Sequence, residues 1–185
     1  MIKKEHSFKY QAYYCEENIW QLCQEVIFQE ISHYALFISN RDKSCALSYQ
    51  KAALSQELPV FWDYHLVMIA QDTQKRSWNI WDLDTRLRLP LELRLYLDKT
   101  FSFSRQLNPR YAPLFRLVES QTYINQFSSD RSHMLKDGQY TQPPPTWKMP
   151  YNGQDRTNLM QFLNFDDTSI GKILTINELI SYFYG

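Results

Sequence analysis

Apolar residues recur at helical spacing from Glu16 to about Gln29, as Ile19, Trp20, Cys23, Val26 and Ile27, which predicts an amphipathic helix there. Glu16 and Glu17 fall in its first turn, where negative charge suits the helix dipole, and Cys15 lies at its N-terminus. Tyr34 to Ile38 reads as a short buried strand, ended by Ser39-Asn40-Arg41-Asp42. Residues 43–58 are polar and carry no clear period. Val60 to Ala70 and Trp78 to Leu83 read as strands rich in aromatic and β-branched residues. The polar stretch Gln71 to Ser77 between them predicts a hairpin. Leucines at 87, 89, 91, 93, 95 and 97 alternate with a strand period, yet Pro90 also suits a helix start in which Leu91 and Leu95 share a face. The helix is the preferred reading. Leu114 to Val118 predicts a strand and Ser120 to Phe127 a short helix. Residues 136–156, with three consecutive prolines at 143–145, predict an ordered loop or extended arm. Thr175-Ile176-Asn177-Glu178 is a capping-box pattern. It opens a final helix with Leu179, Ile180 and Phe183 inward.

Composition narrows the class. A chain of 185 residues with no repeat and no linker fits one catalytic domain spanning 1–185, with about residues 1–10 loosely ordered. Lysine plus arginine equals aspartate plus glutamate at 20 each, so no basic face marks a nucleic-acid partner. No stretch reaches the roughly 18–20 apolar residues that span a bilayer. The polar start, Met1 to His6, has no apolar run of the secretory kind. Three cysteines, at 15, 23 and 45, neither pair completely nor show metal-ligand spacing. Free thiols in a reducing compartment, the cytoplasm, are the expectation. Only four glycines occur, too few for a phosphate-cradling loop. A structural zinc site and nucleotide-dependent chemistry are therefore not expected.

Chemistry concentrates at three positions. A thiol at a helix N-terminus has its thiolate stabilised by the dipole, and the free N–H groups there suit a developing oxyanion. Cys15 has that place, whereas Cys23 lies on the apolar helix face and reads as core. His65 sits inside the strand Val60 to Ala70. If the hairpin turn centres on Thr73 and Gln74, position 65 faces Asp82; a register shifted by one residue on each side pairs it with Asp84. Either carboxylate lies on the same sheet side as the ring, and an imidazole with a carboxylate at its second nitrogen is an oriented base. The bland alternatives are a core cysteine, a hydrogen-bonded structural histidine and an aspartate that caps a strand end.

Five segments, in order, resemble the protein N-terminal glutamine amidohydrolase family. They are Tyr13-Tyr14-Cys15-Glu16-Glu17-Asn18-Ile19-Trp20, Ala35 to Asn40, Val60 to His65, Trp81-Asp82-Leu83-Asp84-Thr85, and Phe127 to Met134 followed by Pro143-Pro144-Pro145. The resemblance runs from about Gln11 to Phe183, with Lys43 to Leu58 and Met149 to Thr157 matching poorly. It implies an α+β fold: a three-layer α-β-α sandwich with a mostly antiparallel sheet and a papain- or transglutaminase-like cysteine hydrolase core. It also implies a Cys15–His65–Asp82 triad, and so selects the register that pairs His65 with Asp82. The implied activity is deamidation of N-terminal Gln to Glu, in the arginine branch of the N-degron pathway, through a thioester on Cys15.

A substrate read by its free N-terminus brings an α-ammonium, which needs acceptors once desolvated. The candidates are Glu16 and Glu17, which also serve as helix-start acids, Asp130 in the fifth segment, and Asp63, which shares strand parity with His65. Arg131 and His133 read as braces of their loop. The partner expected is therefore a protein or peptide with free N-terminal Gln, taken by a monomer. A deamidase of an internal glutamine in a folded target is the alternative, and a non-catalytic binding module with the same fold is the reading from another class.

Overall fold

The structure, a computed structural model, describes residues 7–56, 58–103 and 109–185. Its centre is a six-stranded sheet in the order β10-β7-β1-β4-β5-β6. The strands are β1 (His33–Ser39), β4 (His65–Asp72), β5 (Ser77–Trp81), β6 (Leu91–Glu92), β7 (Leu114–Glu119) and β10 (Lys172–Leu174). Every neighbouring pair in this sheet is antiparallel. Two small hairpins stand apart: β2 (Cys45–Leu47) with β3 (Val60–Trp62), and β8 (Leu135–Lys136) with β9 (Gln139–Tyr140).

The sheet buries both faces, and this explains why its central strands are continuously apolar rather than alternating. Ala35, Phe37, Leu66, Met68 and Val118 pack on one side, against α1 (Cys15–Leu22), α3 (Ser120–Gln126) and α4 (Leu159–Phe162). Leu36, Ile38, Val67, Ile69 and Leu117 pack on the other, against α2 (Leu93–Thr100) and α5 (Ile176–Tyr184). The fold is thus α+β around a large antiparallel sheet. Aromatic rings fill the first side: Phe37 stacks on Phe162 with centroids 5.0 Å apart and meets Tyr123 edge-on at 5.3 Å. Such pairs add about 0.5–1.5 kcal/mol each beyond their area burial.

Several boundaries differ from the sequence reading. The first helix stops at Leu22, and a separate 3-10 turn covers Val26–Phe28. Val60 to Ala70 is two strands, because the chain bends at Asp63 and Tyr64: the Asp63 carboxylate accepts from the Tyr64 N–H at 2.9 Å and its carbonyl from Ser39 Oγ at 2.5 Å. Local bonds of this kind compete with the ladder. Asp63 therefore has no strand parity with His65. The helix after Pro90 begins only at Leu93, capped by Glu92, whose carboxylate accepts from the Leu95 N–H. Residues 7–10 are not loose: Phe8 packs edge-on against Trp81 at 5.6 Å and the Tyr10 hydroxyl donates to Asp84. Residues 1–6, including His6, lie outside the described residues. The capping box at Thr175 and Glu178 forms as read, and Leu179 is buried.

Candidate active site

The site lies where β4 begins and β5 ends. The hairpin joining them pairs Met68 with Trp81 and Asp72 with Ser77, so its turn centres on Gln74 and Lys75. Extended to the strand ends, that register sets His65 opposite Asp84, not Asp82, which corrects the pairing drawn from the sequence. The carboxylate at the ring is nevertheless that of Asp82. The ladder stops at Trp81, and the chain turns at Asp82, whose Oδ1 accepts from the Asp84 N–H at 3.0 Å. This local turn carries the Asp82 side chain back to His65, with Nε2 and Oδ1 2.9 Å apart.

Asp82 is wholly buried and fully engaged: its Oδ2 accepts from Gln50 Nε2 at 3.0 Å and from the Tyr96 hydroxyl at 2.9 Å. Burial acts to raise its pKa, but His65, Gln50 and Tyr96 hold it below the usual carboxylate range. Burial acts to lower the His65 pKa, and Asp82 together with the Asp84 charge overcomes this, so the ring holds its proton above the usual 6.5. His65, Asp82 and Asp84 also bring ligand atoms within 4.8 Å of one another, a metal-like spacing. With both Asp82 oxygens satisfied by donors, that group is a poor fit to a cation.

Cys15 is the first residue of α1 and packs beside the start of β4. The N-cap, Tyr14, offers no side-chain cap, so the first-turn N–H groups of α1 are not taken up by one. Contrary to the expectation of a stabilised thiolate, burial, then the Glu16 and Asp84 charges, push the Cys15 thiol well above its ordinary value. The Leu66 backbone amide opposes them. The thiol sits 3.7 Å from Glu16 Oε2.

A cavity of about 440 Å³ is lined by Cys15, His65, Asp84, Asp63 and His133, with apolar walls that include Trp62 and Leu163. The structure thus brings Cys15, His65 and Asp63 to one cavity, with Asp82 directly behind His65. Glu16 is covered: its carboxylate accepts from the Tyr64 hydroxyl at 3.1 Å and lies 3.1 Å from His133 Nε2. Burial opposes a charged His133, but Glu16, Glu17 and Asp130 raise its pKa. His133 is therefore more than a loop brace. Glu17 faces elsewhere, gripped by Arg131 Nε at 2.7 Å and Nη2 at 2.8 Å and by the Trp147 indole at 2.8 Å. Asp130 accepts from the Ser132 N–H at 2.9 Å and is not part of the cavity wall. Arg131 is the brace its segment predicted, donating also to the Pro145 and Trp147 carbonyls.

Sequence reasoning missed Gln50 and Tyr96 behind the carboxylate, the Glu16–His133 pair, and the place of Asp84 in the cavity. Only Asp84 had left a signal, as the rival hairpin partner. Among the described residues no helix is long and apolar enough to cross a membrane.

Comparison with known proteins identifies the family. A family model described as N-terminal glutamine amidase matches residues 10–183. Protein N-terminal glutamine amidohydrolase of Danio rerio is 34% identical over 180 residues, covering 94% of this chain and 88% of the relative. The Bos taurus protein of the same name is 33% identical over 94% of this chain and 86% of its own. That of Drosophila melanogaster is 34% identical over 95% and 88%. With a match over nearly its whole length, the chain belongs to the N-terminal glutamine amidase family.

Proposed function

We propose that this chain hydrolyses the side-chain amide of an N-terminal glutamine on proteins or peptides, giving glutamate and ammonia, with Cys15 as nucleophile, His65 as base and Asp82 as its orienting carboxylate. The observation that carries this reading is the buried His65–Asp82 pair, 2.9 Å apart, at the wall of a cavity that Cys15 also lines. A candidate nucleophile at a helix start, a histidine at a strand start and an aspartate just past a strand end support a papain- or transglutaminase-like reading of the core.

The charges set the order of events. With the thiol pushed up, Cys15 rests protonated. With Nε2 committed to Asp82, Nδ1 is the ring nitrogen that takes the thiol proton as Sγ attacks the carboxamide carbon. The uncapped N–H groups at the start of α1 suit the oxyanion. Collapse breaks the C–N bond, and the imidazolium gives its proton to the departing nitrogen, which leaves as ammonia. A water then loses a proton to His65 as it attacks the thioester. Breaking the C–S bond returns the proton to Cys15 and releases the N-terminal Glu product.

Three matched peptides test this, carrying free N-terminal Gln, N-acetylated Gln, and internal Gln, with conversion followed by mass spectrometry and ammonia release. Only the first is converted efficiently, and Cys15→Ala abolishes the conversion while the circular dichroism spectrum is unchanged. An active Cys15→Ala protein excludes the thiol mechanism. Comparable conversion of the acetylated or internal Gln excludes selection of a free N-terminus.

A further inference from the structure

The geometry points to Asp84 as the residue that selects a free N-terminus, by accepting the substrate α-ammonium; this rests on the deamidase reading above. Of the carboxylates around the site, most are already occupied or lie elsewhere. Glu17 is held bidentate by Arg131. Asp130 closes its own turn away from the cavity. Glu16 is fully buried between Tyr64 and His133. Asp82 is filled by its donors. Asp63 and Asp84 remain in the cavity wall. Asp63 is exposed, and a water-solvated carboxylate discriminates weakly.

Asp84 is different. It is largely withdrawn from solvent, and its Oδ1 accepts from the Tyr10 hydroxyl at 2.5 Å. Among the described residues no donor is bonded to its Oδ2. The charged and titratable groups acting on it are His65, Asp82, Tyr10 and Lys51, and Cys15 and Asp63 line the same cavity. Lys51 is the fixed cation nearest to hand, but its ammonium is bound to the Leu83 carbonyl at 2.7 Å and stands over the Tyr10 ring at 5.0 Å. Burial, with the Asp82 charge beside it, keeps the Asp84 pKa above the ordinary carboxylate value, despite His65, Tyr10 and Lys51. This is a half-compensated acid, and an arriving ammonium completes its pairing.

The span fits. Four bonds separate the α-nitrogen of glutamine from its side-chain carbonyl carbon, about 5 Å when extended. Asp84 offers an oxygen within 4.8 Å of a His65 ring nitrogen. A glutamine with its carboxamide at Cys15 and His65 thus reaches Asp84 with its ammonium. A residue preceding the glutamine would remove that charge and place a peptide bond against a carboxylate that accepts but does not donate.

The test compares a peptide beginning with Gln to one in which a glutaramic acid cap replaces the Gln, so that only the amino group is missing. Wild type prefers the amine peptide, mainly through KM. In Asp84→Asn, kcat/KM falls about 30-fold or more further for the amine peptide than for the cap peptide, so the preference collapses towards one. Asp63→Asn keeps the preference. A second measurement needs no variant: in wild-type protein KM for the amine peptide rises as pH falls through the raised Asp84 pKa, while KM for the cap peptide stays flat. Survival of the preference in Asp84→Asn, with kcat/KM lost equally on both peptides, or parallel pH dependence of the two KM values overturns the assignment. Absence of ammonia release from both peptides with wild type overturns the deamidase reading, and the assignment with it.

Discussion

At the scale of residues, the carboxylate of Asp82 holds four donors, from His65, Gln50, Tyr96 and the Asp84 amide. An amide in its place presents an NH2 to some of these donors and can impose the wrong ring tautomer. Asp82→Asn is expected to lower kcat by about 10⁴-fold. It also shifts the pH profile in a defined direction. Burial lowers the His65 pKa, and Asp82 together with Asp84 raises it by more. The ring must be neutral to act as base, so kcat/KM of the wild type rises with pH through a midpoint above 6.5. Without the Asp82 charge burial is opposed by Asp84 alone, and the midpoint moves down. A pH–rate profile of residual activity decides it, and an unmoved midpoint contradicts the role given to Asp82. Cys15 and His65 stood out in the sequence as candidates, one at a helix start and one as a polar side chain inside an apolar strand, whereas spacing left Asp82 and Asp84 open and only the family resemblance chose between them. Gln50 and Tyr96 were not, since nothing local distinguishes a tyrosine buried on a carboxylate from one packed in a core.

Among elements, the segment from Phe127 to Pro150 is the most dependent on a single contact. It has no regular structure beyond a 3-10 turn and the β8–β9 hairpin. Arg131 ties it to α1 through Glu17 and to its own later turns through the Pro145 and Trp147 carbonyls, with the guanidinium almost wholly buried. Removing one member of a buried ion pair strands the other charge, at about 3–5 kcal/mol. Arg131→Ala is expected to destabilise the chain by that amount in urea unfolding, and to weaken turnover, because His133 rides on the same segment beside Glu16. A loss under about 1 kcal/mol would show the clamp to be dispensable. The proline-rich composition announced an ordered arm, and the arm is there. What pins it was hidden, since Glu17 reads locally as nothing more than a helix-start acid.

On the scale of the whole molecule, the sheet works as a partition between two apolar clusters, and its edge closes where the chain returns from α4 to β10. Arg116, buried within β7, donates to the carbonyls of Phe162, Asn164, Asp167 and Ile170 and so folds that return segment onto the sheet. Gly171 then makes the final approach with φ +67°, and a Cβ there would stand 2.3 Å from the Leu117 carbonyl oxygen. Gly171→Ala combines a disfavoured φ with a backbone clash, so a loss well above about 1 kcal/mol is expected; a melting temperature within a degree of wild type would contradict it. The sequence by itself determined the strands that are apolar on both faces, the helix carrying Cys15 and the capped final helix. Periodicity, capping and residue type are local properties, written in consecutive positions. Only the tertiary structure decided the bend at Asp63, the hairpin register, the burial that reverses the expected effect of the helix on Cys15, and which carboxylates remain unoccupied in the cavity. Those depend on what distant segments bring to the same point: Gln50, Tyr96 and Arg131 lie 32, 14 and 114 residues from the acids they hold, and no local pattern encodes such distances.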